Sequence, residues 1–304
     1  MDMRKGIGRA AAFVALVFAV TYGIAFLYFR AGGTIGSPFA MPFFLLYMYI
    51  PALTVIFLQK AVYREGVIKP LDVSFRWNKW FLTAWFAMPI CVLASIGVSL
   101  LLPGVHFDAH MTGLLDRLQS SMPPDQFAQT QHVIESMHGF FPFIVVGAGL
   151  IAGLIAGATV NAIAAFGEEL GWRGFLAKNL GFMGFWPSSI VIGIIWGIWH
   201  APLIIHGYNY PIHPKLGVLM MTVFTTLLSP IFMYVRLRAK SVIASSVMHG
   251  TLNAVAGLSL LFLKGGSDIL PGMTGIAGFI VLFLANIGIF IYDRHFATEP
   301  VRMP

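Results

Sequence analysis

Four ionisable side chains lie in apolar stretches of this sequence, where such residues are rare. Glu168 and Glu169 are adjacent in NAIAAFGEELGWRGFLAKN, His200 lies in GIIWGIWHAPL, and His249 lies in ASSVMHGTLNA. The other ten acidic residues and seven histidines fall in polar connections, tails or beyond the ends of the apolar stretches. An ionisable side chain at the centre of a bilayer costs roughly 2.5 to 3.5 kcal/mol on insertion scales. These four residues are therefore candidates for function.

Helical spacing separates the two glutamates. Glu169 and Arg173 are four residues apart, so they share a helix face and are expected to form an ion pair. Glu168 points about 100° away, on the face that holds Asn161 and Trp172, and has no basic neighbour there. A carboxylate without a charged partner in apolar surroundings is suited to act as a general base.

Two further pairs repeat the spacing of four. Trp196 precedes His200 on one apolar stretch, and His249 precedes Asn253 on another. A carboxylate and an imidazole can hold a water and take its proton, while a second imidazole and an amide can stabilise an oxyanion. This set of groups favours peptide hydrolysis. Glu168, His200 and His249 could instead ligate zinc, so the pattern leaves open a zinc cofactor or none.

Each of these features also has a structural interpretation. Glu169 and Arg173 could form an ion pair with a purely structural role. Either histidine, or Asn253, could form a hydrogen bond between membrane helices instead of taking part in catalysis. The single cysteine, Cys91, excludes an intramolecular disulfide and a cysteine-based zinc site. The coincidence of all the polar residues favours a functional site.

The elements that must position these residues are membrane helices. The chain has 304 residues, of which 58% are hydrophobic and 10% charged, far below the roughly 25% charged of soluble domains. Apolar runs of about 20 residues predict transmembrane helices. The sequence predicts an all-α polytopic membrane bundle of about eight helices and a single integral membrane domain over 1–304. The predicted spans are 10–29, 38–58, 80–102, 140–165, 188–205, 216–235, 241–263 and 270–292.

The distribution of basic residues predicts the orientation of the bundle. The net charge is +7, and 15 of the 19 basic residues fall in alternate connections on the side of the N-terminus. The positive-inside rule then places both termini in the cytoplasm. The charge is explained by the bilayer, so no nucleic-acid partner is expected. The compact layout with few loops favours a prokaryotic plasma membrane, and the expected partners are the bilayer and a peptide or membrane-protein substrate.

At these residues the chain resembles the CPBP family of intramembrane proteases, also called the Abi or type II CAAX prenyl endopeptidase family. The first family motif, EExxxR, is matched by Glu168, Glu169 and Arg173. The second places an aromatic residue, usually Phe, one helical turn before a His, and Trp196 with His200 matches it. The third, HxxxN, is matched by His249 and Asn253. The resemblance covers 165–256, and Trp196 in place of Phe is a conservative departure.

The resemblance implies an intramembrane endopeptidase whose cavity opens towards the cytoplasm. Glu168 and His200 would activate the water, and His249 and Asn253 would form the oxyanion hole. Glu169, Arg173 and Trp196 would support the site. The family is usually labelled a metalloprotease, but a metal-free glutamate mechanism is also proposed for it, so the resemblance does not decide on zinc.

The predicted spans place these residues at unequal depths. At a rise of about 1.5 Å per residue, His249 and His200 lie roughly 13 Å and 20 Å from the inner edge, whereas Glu168 lies near that edge. The residues can meet only if the fourth helix continues past Glu169, as LGWRGFLAKN suggests, or if the fifth begins later than residue 188. We expect the first.

Two functions of other classes use the same residues. Glu168, His200 and His249 could form the relay of a proton- or ion-coupled transporter, although the sequence has no evident inverted repeat. The chain could also be a non-catalytic immunity or scaffold protein of the same fold. The retained motif residues favour the peptidase.

Overall fold

The computed structural model describes residues 2–119, 124–136 and 141–303, without the side chains of residues 141 and 142, and these segments are overwhelmingly helical. The helices are α1 Met3–Arg30, α2 Ala40–Phe57, α3 Lys79–Ser99, α4 Thr112–Gln119, α5 Pro124–Glu135, α6 Phe141–Ala158, α7 Val160–Glu169, α8 Ala177–Leu180, α9 Phe185–Trp199, α10 Ala201–Ile205, α11 Pro214–Ala239, α12 Val242–Val255 and α13 Ile276–His295. The strands β1 Val105–Phe107 and β2 Leu263–Gly265 form one short antiparallel pair.

The prediction of an all-α membrane bundle is confirmed, and each of the eight predicted spans overlaps a helix, although the last one begins at Ile276 instead of residue 270 and residue 140 lies outside the described residues. Within the described segments, 5 helices are long and apolar enough to cross a membrane, or up to 6 if the bent pair α6 and α7 counts as one span. The fifth and seventh predicted spans are shorter, because α9 ends at Trp199 and α12 ends at Val255. The chain is an integral membrane protein.

The fourth predicted span is a bent helix that continues beyond the glutamates. The chain bends by 51° between α6 and α7, at the break before Val160. After Glu169 it continues as a π-helix over Leu170–Leu176 and then as α8. The expectation that this helix extends past Glu169 is therefore confirmed. A π-helical turn is rare and is found frequently at functional sites.

One end of the bundle holds both termini and most of the basic residues. Arg9 of α1 bonds both oxygens of Glu65 at 2.7 and 3.1 Å, and Lys178 lies 4.0 Å from the same carboxylate. The Arg9 guanidinium holds the pKa of Glu65 below its usual value. Arg238 pairs with Asp293 at 2.7 Å, which brings the end of α11 to the end of α13. We call this the basic end.

The opposite end of the bundle is closed by loops that contact one another. β1 pairs with β2, and His213 bonds Asp268 at 2.6 Å. The Tyr210 hydroxyl donates to the carbonyl oxygen of Thr274 at 2.7 Å. These contacts join the connections after α3, α10 and α12. We call this the loop end.

The helix that carries His249 lies unusually close to α6 and α7. A side chain at Gly250 would meet the backbone nitrogen of Ala162 at 2.5 Å, and one at Gly157 would meet Thr251 Cα at 2.5 Å. Only glycine allows the two backbones to approach so closely. Ser241 begins α12 by accepting hydrogen bonds from the backbone N–H groups of residues 243 and 244. This packing brings His249 beside the two glutamates.

Candidate active site

The Glu168 carboxylate is held by two tryptophans. Its Oε2 accepts the indole N–H of Trp196 at 2.7 Å and that of Trp172 at 3.3 Å. The Oε1 atom accepts no hydrogen bond from the described residues, so it is the oxygen left for a water. Asn161, predicted on the same face, instead donates to the Gly250 carbonyl oxygen at 3.4 Å. Phenylalanine at position 196 could not donate to Glu168, so the tryptophan is more than a conservative replacement.

Glu169 joins Arg173 to His249. Its Oε1 accepts from Arg173 at 3.1 Å, as the spacing predicted, and from Nδ1 of His249 at 2.9 Å. Both members of the ion pair are 0% exposed. The Arg173 guanidinium also lies over the rings of Trp196 and Phe232, at 4.4 and 4.9 Å from their centroids. Glu169 therefore holds the His249 ring and Arg173 packs on the Trp196 ring, both from outside the cavity.

Both histidines use the same ring nitrogen for structural bonds. Nδ1 of His249 faces the Glu169 carboxylate, and Nδ1 of His200 lies 2.8 Å from the carbonyl oxygen of Trp196. A carboxylate and a carbonyl only accept, so each Nδ1 must carry a proton. Nε2 is then the nitrogen available to a water or a substrate on each ring.

The four residues predicted to be catalytic line one cavity of about 90 Å³. Glu168 and His249 are buried, His200 is half-buried, and Asn253 is exposed. Glu169 and Arg173 do not line this cavity. The structure thus brings together Glu168, His200, His249 and Asn253, carried by α7, α12 and the end of α9.

The donors are not arranged as a metal site. Among the described residues, no group of three or more His, Cys, Asp or Glu is placed so that it could hold a metal ion. As they are placed here, Glu168, His200 and His249, the set considered for zinc, do not form such a group.

Several aromatic residues that line or border the cavity were not predicted from the sequence. Tyr47 and Tyr208 line it, and the Tyr47 hydroxyl donates to the Trp199 carbonyl oxygen at 2.7 Å. The Trp199 ring packs edge-on against His200, with 4.8 Å between centroids. Tyr47 lies far away in sequence, and only tertiary packing brings it here. The sequence WGIWH could have indicated Trp199 as well as Trp196, since the rings of both contact that of His200.

The cavity faces the loop end rather than the basic end. Its lining includes Tyr208 and Asn209 from the connection after α10, and no residue of the basic-end connections. Asn209 and Asn253 are its exposed polar residues. The cavity and the termini therefore lie towards opposite ends of the bundle. The charge distribution predicts cytoplasmic termini, and the resemblance implies a cavity that opens towards the cytoplasm. With the cavity at the end opposite the termini, these two expectations exclude each other.

Fold and site define a helical membrane protein whose cavity is lined by carboxylate and imidazole groups, and two comparisons relate its sequence to known proteins. Residues 150–255 match a family model described as Type II CAAX prenyl endopeptidase Rce1-like. The CAAX prenyl protease 2 of Methanococcus maripaludis is 32% identical over 149 residues, which cover 45% of this chain and 49% of that protein. These findings confirm the resemblance to the CPBP family of type II CAAX prenyl endopeptidases. The chain spans about half the length of the curated relative it matches.

Proposed function

We propose that the chain is an intramembrane endopeptidase that hydrolyses peptide bonds of membrane-associated substrates with water activated at Glu168. The observation that carries the proposal is the shared cavity. Glu168, His200, His249 and Asn253 all line it, and they come from three motifs separated by about 30 to 50 residues in sequence. The match of residues 150–255 to prenyl endopeptidases supports the same reaction.

In the proposed reaction, the free Oε1 of Glu168 and Nε2 of His200 bind one water. The carboxylate takes a proton as the water oxygen attacks the scissile carbonyl carbon, which becomes a tetrahedral oxyanion. The same proton then passes to the leaving amine nitrogen as the carbon–nitrogen bond breaks. A carboxylic acid and an amine are released, and Glu168 is again ionised. The two indole bonds hold its other oxygen and fix the orientation of the carboxylate.

His249 and Asn253 are proposed to stabilise the oxyanion. For that role Nε2 of His249 must carry a proton in addition to Nδ1, which makes the ring a cation. Glu169, 2.9 Å from Nδ1, provides the countercharge. Asn253 is on the same helix face, one turn further, and its amide N–H would be the second donor. Glu169 and Arg173, which do not line the cavity, and Trp196, which does, position these groups.

No metal takes part in the proposed reaction, because no group of three or more His, Cys, Asp or Glu among the described residues is placed to hold one. The proposed substrates are peptides or membrane proteins in the bilayer, in a prokaryotic plasma membrane. The family whose model matches is described as prenyl endopeptidases, which points to prenylated peptides. A farnesylated peptide and its unmodified twin, both anchored in vesicles, would therefore be compared as substrates.

Substitution of His249 by alanine tests the function directly. Loss of an oxyanion donor typically lowers the rate about a hundred- to a thousandfold, so we expect cleavage by His249→Ala to fall by this amount. The measurement is cleavage of the anchored peptides by purified protein in vesicles, followed by mass spectrometry of the products. His206→Ala, an exposed histidine outside the cavity, is the matched control.

Equal cleavage by wild type and His249→Ala would show that the site is assigned wrongly. Wild type that cleaves no peptide but dissipates a proton gradient in sealed vesicles would favour the transporter. Wild type that does neither would favour the non-catalytic binding protein.

We also propose that the cavity opens away from the cytoplasm, since 15 of the 19 basic residues predict a cytoplasmic basic end. Cysteines at Ile212 and Lys240, exposed at the loop end and the basic end, report the two sides in a Cys91→Ala background. In sealed right-side-out vesicles, a membrane-impermeant thiol reagent is expected to label Ile212→Cys at once and Lys240→Cys only after permeabilisation. The reverse pattern would place the termini outside and the cavity towards the cytoplasm, as the resemblance implies.

A further inference from the structure

A second and larger cavity lies between α3, α11 and α13. It has a volume of about 470 Å³ and is lined by Met88 and Cys91 of α3, Tyr234 of α11, and Gly288 and Tyr292 of α13, among others. This volume is in the range of roughly 300 to 1,000 Å³ that ligand pockets have. It runs from Lys79 at the basic end to Cys91, roughly 18 Å along α3. We call it the interhelical slot.

The slot adjoins a basic recess of about 640 Å³ at the basic end of the bundle. Trp80 lines both cavities. Arg238, Lys240 and Arg302 line the recess, together with Glu299, which offsets one of their charges. Lys240 and Arg302 are exposed and have no carboxylate partner in the part of the chain that the structure describes, whereas Arg238 is paired with Asp293.

These two features together select one kind of ligand. Lipid chains are as apolar as leucine side chains, so in a membrane the slot alone gives little preference for any lipid. The recess supplies that preference, because basic residues between helix ends attract anionic headgroups. The length of the slot is close to the roughly 15 Å of hydrocarbon in one leaflet. Trp80 lines both parts, and the rings of Tyr234 and Tyr292 contact it, as aromatic residues gather at the membrane interface.

We propose that the slot and the recess form a binding site for one anionic phospholipid. An acyl chain lies in the slot against Met88 and Gly288, and the phosphate lies in the recess against Lys240 and Arg302. At the deep end of the slot the acyl chain contacts Met248, and the next residue of the protein, His249, lines the peptidase cavity. The bound lipid thus packs against the helix that carries His249. This binding site does not depend on the proposed peptidase activity.

Substitution of two glycines, one inside the slot and one outside it, distinguishes lipid binding in this site from unspecific lipid contact with the helices. A Cβ added at Gly288 or at Gly97 meets nothing within 4 Å beyond its own helix, so neither substitution begins with a steric clash. Gly288→Phe projects into the slot, whereas Gly97→Phe, on α3, lies outside it. The full chain is placed in bilayer discs of phosphatidylglycerol and phosphatidylcholine and then extracted in detergent. Native mass spectrometry then counts the lipids that remain bound.

Wild type and Gly97→Phe are expected to keep one phosphatidylglycerol, in at least tenfold preference to phosphatidylcholine. Gly288→Phe is expected to lower this retention at least tenfold. Lys240→Ala should lower it about fivefold, which corresponds to roughly 1 kcal/mol for one basic residue near an anionic surface. Equal retention of the two lipids by wild type would overturn the proposal. So would unchanged retention by Gly288→Phe, or an equal loss in Gly97→Phe.

Discussion

Replacement of Glu168 by glutamine is expected to lower the rate of peptide cleavage by about a hundred- to ten-thousandfold, the usual contribution of a general base. The amide oxygen of glutamine can still accept both indole N–H groups that now bond Oε2. The amide nitrogen then takes the place of Oε1, where it cannot accept a proton from water. The fold should be unchanged, because charge and basicity are lost but shape is kept. Cleavage of the anchored peptide and thermal unfolding are measured on the same preparation.

The control for this prediction is another carboxylate with hydrogen-bonding partners. Glu65→Gln removes a charge that Arg9 binds at the basic end, outside both motif and cavity. We expect this variant to cleave at the wild-type rate. Glu168→Gln with activity within twofold of wild type would exclude Glu168 as the base. Loss of activity together with a lowered unfolding temperature would assign Glu168 to the fold instead.

The sequence predicted the helices and the site residues because the relevant rules are local. Apolar runs of about 20 residues mark membrane helices. The spacing of Glu169 and Arg173 is enough to predict an ion pair that the structure contains at 3.1 Å. Ionisable residues are rare in membrane helices, and this alone was enough to single out Glu168, His200 and His249 as candidates for function. None of these arguments needs a tertiary structure.

The connections between these residues could not be predicted, because they depend on packing between distant helices. The bond from Trp196 to Glu168 crosses 28 residues of sequence, and that from His249 to Glu169 crosses 80. Because the family motif usually has phenylalanine at the position of Trp196, the motif does not predict that this residue donates a hydrogen bond to Glu168. The π-helix over Leu170–Leu176 was likewise not predicted from the sequence. The side on which the cavity opens follows only from the loops that line it.

Removal of the Arg173 guanidinium is expected to cause the largest loss of stability. Arg173→Met leaves the Glu169 carboxylate buried without its cation, and breaking a buried ion pair from one side costs about 3 to 5 kcal/mol. Both side chains of this pair are 0% exposed. The free energy of unfolding is measured by titration with sodium dodecyl sulfate in mixed micelles. Arg236→Met is the matched control, since its partner Asp72 is 43% exposed and stays hydrated. About 1 kcal/mol is expected there.

The double variant Glu169→Gln with Arg173→Met decides whether the cost arises from the unpaired charge. Replacement of both partners of a buried ion pair is often near neutral, so most of the lost free energy should return. The glutamine oxygen can still accept from Nδ1 of His249, which keeps the ring in place. The countercharge for a protonated His249 is nevertheless gone. If Glu169 supports the oxyanion hole, the double variant must therefore be stable but slow in cleavage. Recovery of stability and of full cleavage together would limit Glu169 and Arg173 to a structural role.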